Sequence, residues 1–194
     1  MNKKITLIGC GILREETEYV LQSSGLNNIN IKWLEVGLHD NIERLEKTLD
    51  EAIQEQADDA GAGKIKILYG GACLPWMRDF AKERQVPVLP VKNCLGALVG
   101  DEEIKTLEEN NTLVASTGWV RQMWLGRAET ATGWKADDFR LQFGRYDLIL
   151  VLDPGINSLT DEEIITCFDL VQVPLEIMPC DFGYFKRLLL DFIA

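Results

Sequence analysis

Ile5-Thr6-Leu7-Ile8-Gly9-Cys10-Gly11-Ile12-Leu13-Arg14, near the start of a 194-residue chain, decides how the rest is read. The run Ile5 to Ile8 has the length and β-branched content of a buried strand, and Gly9-Cys10-Gly11 stops it at a turn. Beyond the turn, Leu13, Thr17, Val20 and Leu21 recur at helical spacing as far as Ser23-Ser24-Gly25, a carboxyl-terminal helix stop. Strand, glycine turn and helix in that order open a βαβ unit.

The same pattern returns along the chain. Ile29 to Val36 is an apolar run ending before His39, Ile65 to Tyr69 one ending before Cys73, and Val86 to Val91 one ending before Cys94. After His39, Asp40 or Asn41 caps a helix with Ile42, Leu45, Leu49, Ala52 and Ile53 on one face and Glu and Lys on the others. In the second half, Leu113 to Ala115 reads as a strand, the polar turn Ser116 to Trp119 opens a helix through Val120, Met123 and Trp124, and Asp137 to Tyr146 reads as another helix. Leu148 to Leu152 is a buried strand, Asp153-Pro154-Gly155 a turn, and Thr160 with Glu163 a capping box. Val171 to Met178 reads as a last strand, and Asp181 as the cap of a terminal helix carrying Phe185, Leu188, Leu189 and Phe192. Asp58 to Gly63 reads as a surface loop. The expected fold is α/β: a mostly parallel, Rossmann-like sheet with helices on both faces, forming one domain over 1–194, with two similar halves, 1–110 and 111–194, as the alternative organisation.

Composition narrows the function. A hydrophobic content of 46% supplies a substantial core, and a formal charge of −11 works against binding a phosphate backbone, so nucleic acid is not an expected partner. Met1 to Lys4 leads straight into a strand, which is too short and too β-like for a signal peptide, and no stretch approaches the roughly 20 apolar residues that span a bilayer. The 5 cysteines are an odd number without C-x-x-C pairing. Reduced thiols in a cytoplasmic setting are the expectation.

The carboxyl ends of parallel strands share one edge, so Cys10, Cys73, Cys94 and His39, the sole histidine, are expected to converge there. Thiolates and imidazole are zinc ligands, and three cysteines serve equally for an iron-sulfur cluster. A single free cysteine is more often a small buried hydrophobe, which is the reading for Cys167 beside Ile164 and Ile165. The three strand-end cysteines differ in sitting beside glycine or polar turn residues. His39 has three readings, metal ligand, loop cap or solvated side chain, with Asp40 as its acceptor or as the helix cap. Gly11 and Gly71 permit close approach of a cofactor, and Trp119 offers an aromatic wall, whereas Trp124 is read as core. Arg14 stands where a dinucleotide fingerprint needs its third glycine, so a nicotinamide cofactor is not expected. Glu15 and Glu16 are read as ordinary first-turn carboxylates.

Cys10-Gly11, Gly37-Leu38-His39, Tyr69-Gly70-Gly71-Ala72-Cys73, Asn93-Cys94 with Leu98-Val99-Gly100, and Thr117-Gly118-Trp119 occur in the order and spacing of one family. The chain resembles the domain-of-unknown-function family 1638. Leu74 stands where some relatives carry histidine after the third-strand cysteine, and Asp153-Pro154-Gly155 resembles the family's later Asp-Thr-Gly-Leu type segment, with Pro154 and Ile156 as departures. Genes of this family often lie near those for corrinoid-dependent methyl transfer in anaerobes, so the resemblance implies, by association, a corrinoid or methyltransferase protein as partner. The expected function is zinc or iron-sulfur binding at the strand edge in support of that chemistry. The alternative is a non-catalytic accessory protein that binds a small molecule among reduced cysteines. A third reading is a nucleophilic thiol of lowered pKa. Oligomeric state is not legible in the sequence.

Overall fold

β1 (Ile5–Cys10) is the middle strand of a parallel three-stranded sheet, between β2 (Ile29–Leu34) and β3 (Lys64–Leu68). The computed structural model describes residues 5–58, 63–128 and 133–194, so Met1 to Lys4 and most of the loop expected over Asp58 to Gly63 lie outside the described residues. In register, Ile8 lies beside Lys32 and Ile67, and Cys10 beside Leu34. Alternation along β1 sends Leu7 to one face and Ile8 to the other, and both are fully buried. Burying one such side chain contributes about 1.5–3 kcal/mol.

The helices follow from that alternation. α1 (Arg14–Ser23) joins Leu7 through Val20 and Leu21, and α2 (Ile42–Asp58) joins Ile8 through Leu45 and Leu49, on opposite faces of the sheet. Asn41 caps α2, its Oδ1 accepting from the Arg44 amide at 2.9 Å. The strand order β2-β1-β3 with helices on opposite faces places a switch point at the carboxyl end of β1, where open α/β sheets bind ligands. α3 (Met77–Arg84), α4 (Cys94–Val99) and α5 (Asp101–Leu107) complete the first part of the chain.

The second sheet, β4 (Thr112–Ser116), β5 (Leu148–Asp153) and β6 (Leu175–Pro179), is also parallel and in sequential order. Between β4 and β5 run α6 (Thr117–Trp119), a π-helical stretch Val120–Leu125, α7 (Gly126–Ala128) and α8 (Ala136–Phe143). α9 (Asp161–Val171) begins with the Thr160/Glu163 capping box, and the side chain of Asp181 caps α10 (Phe182–Ile193). Each of two cores draws on both sheets. Ile8, Leu45, Trp124, Phe139, Ile149 and Cys167 share one, while Leu7, Val20, Val114, Leu152, Phe185 and Leu189 share the other.

Three expectations require correction. Val86 to Val91 is not a strand: it makes one isolated parallel bridge, Ile67 with Val88, because Pro87 and Pro90 lack the amides a ladder needs. The last strand starts at Leu175 and not Val171, since Val171 ends α9 and Gln172 turns with φ of 55°. β2 ends at Leu34, and Gly37 with φ of 80° leads into a 3-10 turn, Leu38–Asp40, so His39 sits on that turn and not directly at a strand end. Among the described residues no helix is long and apolar enough to cross a membrane.

Candidate functional site

A cavity of about 260 Å³ opens at the carboxyl ends of β1, β3 and β4. Cys10, Cys73, Cys94, His39 and Trp119 all line it, together with Tyr69, Asn93 and apolar side chains that include Leu68, Leu89 and Val114. Cys10 is buried, and Cys73 and Cys94 are half-buried.

Backbone approach brings the second and third thiols to the first. After β3 the chain turns at Gly70, where a Cβ would overlap the carbonyl of Lys92. That closeness lets the Gly71 amide donate to the Val91 carbonyl and the Ala72 amide to the Lys92 carbonyl, both at 2.8 Å, stitching the Cys73 loop to the Cys94 loop. Cys94 then opens α4, whose cap is Asn93, its Oδ1 accepting from the Gly96 amide at 3.0 Å. Asp101 fixes the same loop by accepting from the Lys92 amide at 3.0 Å.

The second half of the chain covers the site. Ser116 Oγ accepts from the Trp119 amide at 3.1 Å, which starts the turn that presents Trp119 to the cavity. Gln122 Nε2 donates to the Gly11 carbonyl at 3.2 Å, and Arg127 pairs with Asp40, next to His39, at 2.8 Å. Arg121 holds the π-helical stretch to α9 through Glu163 at 2.6 Å and the carbonyls of Asn157 and Ser158. Trp124 lies in the core against Trp119, Phe139 and Phe143.

Gly11 and Gly71 do not line the cavity: Gly11 is buried under Gln122, and Gly71 is taken up by its bond to Val91. His39 lines the cavity with a side chain 41% exposed, its Nε2 3.6 Å from Asp40. Among the described residues, no group of three or more His, Cys, Asp and Glu side chains stands in metal-holding geometry.

Electrostatics oppose a nucleophilic thiol. Burial raises the pKa of Cys10, pushes Cys73 up to about 11 and Cys94 up to about 12, and charge on neighbouring cysteines adds to the rise at Cys73 and Cys94. Among the described residues no Lys or Arg lines the cavity to offset this. Burial therefore favours the thiol form of all three, and a cation placed among them would favour the thiolate.

Two residues exceed what their sequence context conveys. Tyr69 is 2% exposed, and its hydroxyl has no hydrogen-bond partner of acceptable geometry, although it stands near enough to Cys10 for each to perturb the other. Its signal was available: an aromatic with a polar tip ending a buried strand just before Gly70-Gly71. Glu16, expected to be an ordinary first-turn carboxylate, is 3% exposed with one oxygen unpartnered, and burial pushes its carboxyl up to about 7. Glu15 conforms, accepting from Asn157 Nδ2 at 2.8 Å.

The family model described as protein of unknown function (DUF1638) matches residues 33–189, and the chain belongs to that family. The matched span includes His39, Cys73, Cys94 and Trp119, while Cys10 precedes it. No curated protein and no solved structure matches the chain.

Proposed function

We propose that this member of the DUF1638 family binds zinc or an iron-sulfur cluster through Cys10, Cys73 and Cys94, in support of corrinoid-dependent methyl transfer. The observation that carries the reading is the convergence of three thiols, from three separate segments, on one cavity that no Lys or Arg lines among the described residues. The donor chemistry fits: soft thiolates select zinc and iron-sulfur clusters over hard cations. His39, which lines the same cavity, would supply a fourth ligand if zinc were held there. Bound zinc supplies Lewis acidity and holds a substrate thiol as thiolate, whereas a cluster supplies one-electron transfer.

The chain's own residues have definite tasks. Each cysteine releases its proton to solvent on loading, so loading weakens as pH falls. Trp119, Leu89 and Val114 line the cavity with apolar surface and exclude water, and Gln122 and Arg127 hold the covering segment over it.

A second reading, a metal-free pocket for a small apolar ligand, is favoured by the mostly apolar lining and by the absence of a metal-holding group among the described residues. Elemental analysis and an absorption spectrum of anaerobically purified protein, beside a Cys10→Ser/Cys73→Ser/Cys94→Ser variant, decide between them. Stoichiometric zinc or iron lost in the variant supports the metal site. A folded wild-type protein that carries no metal and takes up none on reconstitution supports the pocket.

A further inference from the structure

We infer that Glu16 is a proton-operated latch between α1 and the second half of the chain: with its carboxyl neutral the first turns of α1 lie closed on the loops after β5 and β6, and with it charged they part, moving the cavity wall at Ile12 and Leu13. The inference is independent of what the cavity holds. Helical spacing puts Glu16, Tyr19 and Val20 on one face of α1. That face meets the second half: Tyr19 sets its ring edge-on to Phe182, centroids 5.4 Å apart, and Val20 shares a core with Phe185 and Leu189. One residue earlier, Glu15 accepts from Asn157 Nδ2 at 2.8 Å, in the loop between β5 and α9. Glu16 therefore lies at the seam, 3% exposed, with its Oε2 buried and unpartnered.

A carboxylate is stable in such a place only with a cation or several donors on it. Its own backbone amide is the donor here, and among the described residues no Lys or Arg counters it. The groups facing the seam are acidic or neutral. Asp153 ends β5 with its Oδ1 taken by the Gly155 amide at 2.8 Å, and Asp181 caps α10 and pairs with Arg187 at 3.7 Å. Cys180, between β6 and α10, is a thiol pushed up to about 11 by burial and by the charges of Asp153, Glu16 and Asp181. On the β2 side, Trp33 donates to Glu18 at 3.0 Å and carries Arg14 over its ring. Arg121 is committed to Glu163 and to the carbonyls of Asn157 and Ser158. Glu16 thus keeps its proton while the seam is closed, burial holding the carboxyl up at about 7, and releases it to solvent when the seam opens. The contacts that yield first are at the surface, since Tyr19 is half-exposed and the Glu15 to Asn157 bond is exposed. Ile12 and Leu13, in the turn that leads into α1, line the cavity, so the movement reaches it.

The test is native-state hydrogen exchange in low urea at pH 5.5 and pH 8, corrected for the intrinsic exchange rate, on wild type and Glu16→Gln. In wild type the amides of Glu18 to Leu21 should exchange through a local opening that is nearly independent of urea and becomes roughly 30-fold more frequent between the two pH values. Amides of Leu45 and Leu49 in α2 should instead follow the steeper urea dependence of global unfolding. In Glu16→Gln the α1 opening should lose its pH dependence. In unmodified protein, the side-chain carboxyl carbon of Glu16 and the amides of Ile12 and Leu13 should shift in NMR spectra with one midpoint at about 7, a readout that survives a poorly folding variant. One urea dependence shared by α1 and α2 would reduce Glu16 to a contribution to overall stability and overturn the latch. So would a Glu16 midpoint at the ordinary carboxylate value, or an α1 opening in Glu16→Gln that still rises with pH as in wild type.

Discussion

Gly70 and Gly71 are adjacent and look alike in sequence, yet they do different work. A Cβ at Gly70 would overlap the Lys92 backbone, which cannot yield without parting the Cys73 and Cys94 loops, whereas a Cβ at Gly71 meets its nearest atom, the Val91 carbonyl oxygen, at an ordinary 3.7 Å. Gly70→Ala should therefore cost about 1–3 kcal/mol in urea unfolding, and Gly71→Ala about 0.5 kcal/mol or less. Equal costs would show that the two loops do not depend on this approach. Glu16 gives a second contrast within one sequence pair. Its folded pKa of about 7 is raised above the ordinary carboxylate value, so its contribution is fully present in acid and is lost as pH rises from about 4.5 through about 7. Glu16→Gln should abolish that decline, worth up to about 3 kcal/mol, as seen by comparing thermal unfolding at pH 5 and pH 8. Cys10 and Trp119 were legible because turn residues mark the ends of β1 and β4, whereas Cys94 reaches the cavity although the strand expected before it does not form; the burial of Glu16 was not legible, because it depends on elements far along the chain.

At the scale of elements, β1, α1, α2 and the cap of α10 follow from apolar period and capping residues alone. The strand expected over Val86 to Val91 fails where two prolines remove its amides, and the last strand was drawn too long because Val171 and Val173 are buried in a helix end and its exit as readily as in a sheet. The π-helical stretch has no local signature, and what holds it is tertiary: Arg121 to Glu163, Gln122 to Gly11 and Arg127 to Asp40. Glu163 closes the α9 capping box as well as pairing with Arg121, and those bonds hold its carboxyl down at about 2. Its contribution is thus present above the ordinary carboxylate pKa and lost as pH falls from about 4.5 through about 2. Glu163→Gln should lower stability at pH 7 by about 1–3 kcal/mol, with the deficit shrinking toward pH 2 in chemical unfolding. Thr160→Ala, which removes only the cap, should cost about 1 kcal/mol at either pH.

Over the whole molecule, two parallel sheets present strand carboxyl ends to one cavity, and a segment of the second half closes over cysteines of the first. Each core mixes residues of both sheets, so the thiols are held by packing that neither sheet supplies alone. Sequence pattern conveyed that strand ends would converge. It did not convey that the Cys94 loop would be delivered by backbone bonding to residues 71 and 72, or that Tyr69 would line the cavity with a buried hydroxyl, since both depend on how the loops meet. The alkaline limb of stability reports in part on the same cluster. Thiols whose folded pKa is raised contribute below their ordinary value of about 9 and lose that contribution as pH climbs toward about 11–12, and Cys167 and Cys180 share the rise, so the triple serine variant should show a smaller alkaline decline in the metal-free state. The most direct test of the central claim is X-ray absorption at the zinc and iron edges of protein purified without oxygen. The account predicts stoichiometric metal with sulfur scatterers at about 2.3 Å, reduced in number when any one of Cys10, Cys73 or Cys94 is replaced by serine. A first shell of oxygen and nitrogen alone, or a sulfur shell indifferent to those replacements, would contradict it.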